Sequence, residues 1–136
     1  MISLLTKTGH AALVTLKRDG RPQLSNIGYA YDETAGVVRI SLTDDRAKTR
    51  NLRRDPRASL YITRGDWSAY VVVEGTVRLT AVAAGPHDAT VDELVDLYRT
   101  IAGEHPDWDE FRTAMVAEKR LVAHFTVERH YGFGQP

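Results

Sequence analysis

Between Arg46 and Arg57 the chain reads Arg-Ala-Lys-Thr-Arg-Asn-Leu-Arg-Arg-Asp-Pro-Arg, with six basic residues (Arg46, Lys48, Arg50, Arg53, Arg54, Arg57) and one acid, Asp55. The segment carries +5, and the remaining 12 bases and 17 acids carry −5, so a formal net charge of zero conceals one strongly basic stretch. Asp44 or Asp45 is expected to cap a short helix here, and that helix must stop before Pro56, because a residue preceding proline is pushed out of the α region. Arg46 and Lys48 then lie at the positive end of the helix macrodipole, where a cation costs about 0.3–1 kcal/mol. Free backbone N–H groups, the dipole and two cations together suit a phosphate or a carboxylate. A solvated basic face, partly offset by Asp44, Asp45 and Asp55, is the other reading the charges allow.

A second group with chemical potential is Gln23, Ser25 and Asn26, polar residues where a strand should present apolar side chains to a core. Inside a barrel such a cluster is costly unless it hydrogen-bonds something. Exposure at a sheet edge is the alternative. Trp67, beside a Gly-Asp turn, either covers a planar ligand or packs on a barrel end, and Trp108 is assigned to the core. The chain has no nucleophile elbow, P-loop or G-x-G-x-x-G, and no Ser-His-Asp arrangement follows from spacing. It has no cysteine, which excludes disulfides and thiolate chemistry. Its five histidines (His10, His87, His105, His124, His130) lack ligand spacing, so no metal site is expected and they read as surface or locally satisfied residues.

The elements that must position these residues follow from the pattern. Ile2 to Gly9 reads as the end of a short helix. Ala11–Leu16 and Pro22–Tyr31 form a hairpin about Asp19-Gly20, and a second turn at Asp32–Gly36 leads into Val37–Thr43, giving three strands in an antiparallel meander. Ala58–Thr63 and Ser68–Thr80 are further strands, with Gly75 inviting a bulge. Val91, Leu94, Val95, Tyr98, Ile101 and Ala102 recur at helical spacing. A second helix is expected to start with Pro106 at its first position, lined by Trp108, Phe111 and Met115. Leu121–Val127 closes the fold as a strand before a short tail. At 136 residues the chain is read as one domain (1–136), mainly β with α, and a cytoplasmic protein is expected, since no apolar run approaches a membrane span.

The order of motifs Gly20-Arg-Pro-Gln-Leu-Ser-Asn26, Arg46 to Arg57, Glu74-Gly75-Thr76, Leu97-Tyr98-Arg99 and Tyr131-Gly132 resembles the split-barrel flavin and deazaflavin oxidoreductases. It is most similar to the PPOX-class branch that uses coenzyme F420, a 5-deazaflavin, related in fold to pyridoxamine 5'-phosphate oxidase. The resemblance implies a six-stranded antiparallel split β-barrel of the FMN-binding type, a homodimer, and a cofactor in a groove between subunits. It further implies that Gln23 and Ser25 face the ring, that Ser41 lies next to it, and that Arg46, Lys48 and Asn51 bind phosphate. Trp67 and Tyr70 would come from the other subunit. In such an enzyme the ring passes the hydride and no catalytic side chain is required. An FMN enzyme on the same barrel and a cofactor carrier without turnover are the alternatives. A nucleic-acid module is a weaker one, because the basic helix lacks interleaved aromatics.

Overall fold

The structure, a computed structural model, describes residues 2–134. In chain order its elements are α1 (Ser3–Thr8), β1 (His10–Leu16), β2 (Pro22–Gly28), β3 (Ala30–Asp32), β4 (Val37–Thr43), α2 (Ala47–Arg54), β5 (Arg57–Thr63), β6 (Tyr70–Leu79), α3 (Ala89–Ala102), α4 (Trp108–Ala117) and β7 (Arg120–Phe133). The strands form one antiparallel sheet of seven, in the order β2-β1-β5-β6-β7-β4-β3.

Seven strands replace the expected six because the run from Pro22 to Tyr31 is not one strand. Tyr29 interrupts it. Its backbone N–H donates to Gly9 O at 3.0 Å and its hydroxyl donates to Leu5 O at 2.6 Å, so its hydrogen bonds go to the segment around α1 instead of to a ladder. β2 therefore pairs with β1 on one edge of the sheet while β3 pairs with β4 on the other. The expected meander is corrected accordingly: one bent run of chain joins both edges and curls the sheet.

Alternation sorts each strand into two faces. Leu13, Val38, Ile40, Leu42, Leu60, Ile62, Val71, Val73, Leu121 and Phe125 fill the inside of the curl, with Leu4 and Leu5 of α1 closing one end and Leu52 of α2 the other. A second apolar layer joins Val122 on the outer face of the sheet to Val91, Leu94, Val95 and Leu97 of α3 and to Phe111 and Met115 of α4. β6 is bulged between Glu74 and Gly75, as the glycine suggested. A Cβ at Gly75 would stand 1.9 Å from Thr126 O, so no other residue fits the crossing.

Three further expectations need correction. α4 begins at Trp108 with Asp107 as its cap, because the Asp107 carboxylate accepts from Glu110 N–H at 3.1 Å; Pro106 lies one residue outside. Ile101 and Ala102 are exposed, since the last turn of α3 has no partner in the second layer, and Leu97 is buried instead. The tail after Val127 is strand, with Tyr131 opposite Val72 and Phe133 opposite Tyr70.

Candidate anion and ring site at the α2 end

α2 covers the end of the barrel where β4 finishes and β5 starts. Its N-cap is Arg46, in extended backbone conformation, with no side-chain cap hydrogen bond and no acid in the first turn. The expected Asp44 or Asp45 cap is thus overturned. Asp44 is instead drawn to Arg53, its carboxylate 2.8 Å from the guanidinium, and the Thr49 hydroxyl fastens the helix by donating to Thr43 O at 2.7 Å. The first-turn N–H groups are left without a side-chain acceptor.

The six cations of the segment divide sharply. Arg53 is paired with Asp44 and Arg57 with Asp55, whose carboxyl the Arg57 guanidinium holds down to about 2. Arg54 donates to Asn51 Oδ1 at 2.8 Å and Leu16 O at 3.0 Å. Among the described residues Arg46, Lys48 and Arg50 have no ion pair. Lys48 has its pKa pushed down, first by burial and then by repulsion from Arg46 and Arg120. An anion at this position would relieve both charges' repulsion and part of the desolvation.

Arg46 also borders a cleft of ≈ 510 Å³ with Thr43, Lys119 and Arg120. Asp45 and Glu118 share its wall, and Glu118 is engaged by Arg120 at 3.0 Å.

The strand side of the site is β2. Because Gln23 pairs with Thr15 and Ser25 with Leu13, both point to the face that β1 buries, whereas Asn26 points outward beside Ala12. Thr15 is fully buried; its hydroxyl donates to Gln23 Oε1 at 3.0 Å and accepts from Asn51 Nδ2 at 3.1 Å. A continuous chain of hydrogen bonds thereby runs Gln23, Thr15, Asn51, Arg54 and ties β2, β1 and α2 together. Asn51, expected at the phosphate, is buried, and its Nδ2 and Oδ1 each already have one partner in this chain. Ser25 Oγ is buried without a hydrogen-bond partner, the kind of orphaned group that costs about 1–3 kcal/mol unless a ligand meets it.

Of the eight expected site residues, Arg46, Lys48 and Asn51 belong to the α2 segment, Gln23 is joined to Asn51 through Thr15, and Ser25 lies two residues further along the same face of β2. Ser41 lies near the α2 end but on the opposite face of the sheet, beside Val122. Trp67 and Tyr70 are at the far end of the barrel. β5 alone separates them from α2 by about 20 Å, at roughly 3.3 Å per strand residue. Tyr70 stacks on Tyr61 with ring centroids 5.8 Å apart, and Trp67 is 76% exposed. Sequence reasoning missed Thr15 and Arg120. Thr15 had one faint signal, as the single polar residue in the run Ala11–Leu16; Arg120 had none.

Among the described residues, no helix is long and apolar enough to cross a membrane, and no cluster of His, Asp or Glu could hold a metal ion.

A curled antiparallel sheet flanked by helices, with polar strand residues and unpaired cations at one end, defines a split-barrel protein. The family model described as pyridoxamine 5'-phosphate oxidase matches residues 3–133, and the chain belongs to that family. Among solved structures it is similar to an F420 reductase, at 25% identity over 95% of this chain and 94% of that one, with a TM-score of 0.66. It also shares its fold with a conserved hypothetical protein from Mycobacterium tuberculosis (20% identity, 98% and 82% covered, TM-score 0.74). The heme storage protein of Vibrio cholerae has the same fold at 11% identity (98% and 92% covered, TM-score 0.72).

Proposed function

We propose that this protein is a coenzyme F420-dependent oxidoreductase acting on a small organic substrate. The observation that carries the reading is the set of cations without acidic partners, Arg46, Lys48 and Arg50, around an uncapped helix start. The similarity to an F420 reductase supports it. Arg46, Lys48 and the first-turn N–H groups of α2 hold the cofactor's phosphodiester. Gln23 and the unpartnered Ser25 hydroxyl offer polar contacts to the ring. Asn51 keeps Arg54 and Thr15 in place instead of touching phosphate.

The deazaflavin, when bound, supplies a hydride from C5 of its reduced ring. The protein contributes orientation, charge complementarity and exclusion of water, and no side chain is assigned a catalytic role. FMN in the same site is the second reading, favoured by the family match alone.

Trp67 and Tyr70 reach such a site only from a second copy of the chain, so the functional unit is a homodimer. The exposed Leu24, Trp67, Tyr131 and Phe133 support a covered face on the sheet. A monomeric mass in light scattering at micromolar concentration counts decisively against it.

Fluorescence titration with both cofactors at 0.1 M and 1 M salt tests the cofactor assignment. The deazaflavin should bind more tightly at low salt, and its advantage should shrink as the Debye length falls from ~10 Å to ~3 Å. Tighter FMN binding at low salt overturns the reading. Oxidation of the reduced cofactor with a substrate panel then separates an enzyme from a carrier.

A further inference from the structure

Five of the six cations between Arg46 and Arg57 are arginines, and Lys48 is the one amine among them. A guanidinium stays protonated, whereas a lysine becomes a nucleophile once burial and neighbouring cations favour its neutral form. Lys48 is half-buried, and among the described residues it has no ion pair. The Thr49 hydroxyl donates to Thr43 O at 2.7 Å, and Thr43 lies opposite Arg120 in the β4–β7 ladder, so the first turn of α2 is pinned beside that rung. After burial, Arg46 and Arg120 are the charges that push the Lys48 pKa down. The same two arginines line the cleft of ≈ 510 Å³ with Thr43. Of the acids at this end, Asp44 is engaged by Arg53 and Glu118 by Arg120, while Asp45 stands exposed on the cleft wall.

We propose that Lys48 is a covalent modification site, acylated by small acyl phosphates that dock their phosphate on Arg46 and Arg120. An acyl phosphate carries its dianion and its electrophilic carbon in one small molecule. The guanidiniums that attract the phosphate therefore gather the acyl group beside the one amine of the segment. The Lys48 Nζ lone pair attacks the acyl carbon, a C–N bond forms, and the C–O bond to phosphate breaks with its electron pair leaving on oxygen. The nitrogen's proton goes to the departing phosphate, and no oxidant or reductant takes part. The amide that results carries no charge and offers no ammonium to an anion. Acylation goes beyond the proposed function; its consequence, loss of a phosphate ligand from the cofactor site, rests on that reading.

The test incubates the full-length protein with acetyl phosphate and, in parallel, with N-hydroxysuccinimidyl acetate, a neutral acylating agent. Acetylation at Lys7, Lys17, Lys48 and Lys119 is read by peptide mass spectrometry. Relative to the neutral agent, acetyl phosphate should favour Lys48 over exposed Lys7 by about tenfold or more, the concentration gain expected of a cationic cleft. Inorganic phosphate should suppress that preference in the wild-type protein, and Arg46→Gln/Arg120→Gln should abolish it. Protein acetylated at Lys48 should bind deazaflavin roughly ten- to a hundredfold more weakly.

Equal preference at Lys48 and Lys7, labelling carried mainly by exposed Lys119, or labelling that phosphate does not suppress overturns the site and leaves the cofactor assignment standing. Acetylated protein that binds deazaflavin as tightly as the unlabelled protein upholds the modification site and removes Lys48 from the proposed function.

Discussion

The two ends of the helical apparatus treat charge in opposite ways. α3 and α4 begin with aspartates that accept from the helix, Asp88 from Val91 N–H at 2.8 Å and Asp107 from Glu110 N–H at 3.1 Å, and acids follow in each first turn. Their cations are paired too: Arg112 with Asp92, Arg99 with Glu104, and Arg39 of β4 with Asp96. Aromatic rings of Tyr98, His105, Trp108 and Phe111 lock the two helices together. α2 has no capping acid and no acid in its first turn, and among the described residues only Arg53 of its cations has an acidic partner, Asp44. It starts on an arginine, carries Lys48 in its first turn and, among the described residues, leaves Arg46, Lys48, Arg50 and Arg54 without an acidic partner. α1 also starts without a side-chain cap or a first-turn acid, so what sets α2 apart is the combination of a bare start with cations that have no acidic partner, and the proposed site rests on that combination.

The largest expected effect is at Lys48. A lost charge-assisted hydrogen bond costs about 1.5–3 kcal/mol, or roughly ten- to a hundredfold in affinity. Lys48→Met should weaken deazaflavin binding by that factor in a fluorescence titration. Its pKa is lowered in the folded state, so at neutral pH the charge opposes folding, and the opposition fades as pH rises through the lowered value. The variant should therefore melt no lower than wild type; a drop in Tm of several degrees places Lys48 among the structural residues and erases the contrast with α3 and α4.

Asn51→Ala probes the one site residue that the fold has claimed. Removing a buried amide that serves Thr15 and Arg54 should cost about 1–3 kcal/mol in urea unfolding. An unchanged midpoint, with loss confined to cofactor affinity, would return Asn51 to the phosphate.

Asp88→Ala should cost about 1 kcal/mol, the ordinary worth of a helix cap, with cofactor affinity untouched. Backbone N–H groups of Ala84, then Val91, hold the Asp88 carboxyl below its usual range. The cap's stabilisation is thus present above about pH 4 and lost as pH falls through the folded value, so the wild-type advantage should vanish in acid unfolding curves.

The smallest effect is at Ser25. Its buried hydroxyl has no partner, so Ser25→Ala should leave the free protein as stable or up to about 1 kcal/mol more stable, while cofactor affinity falls. Destabilisation of the free protein would show that the hydroxyl is already satisfied there.

Read without coordinates, the chain determined its local features. The Asp19-Gly20 hairpin, the Gly75 bulge, the helical stripe around Leu94 and the basic run all follow from turn chemistry, alternation or charge, which are properties of neighbouring residues. It also suggested that Gln23, Ser25, Arg46 and Lys48 belong together, through the order of motifs. Tertiary structure decided the rest. Whether a cation is free depends on acids that the fold brings to it or withholds: Asp44 goes to Arg53 and leaves the helix uncapped. Whether Asn51 is a ligand or a strut depends on Thr15, 36 residues earlier in the chain. The corner at Tyr29, which splits one expected strand and sends its halves to opposite edges of the sheet, depends on hydrogen bonds to Gly9 and Leu5. Such long-range partners have no periodicity along the chain, because hydrogen bonding and ion pairing are settled by proximity in space.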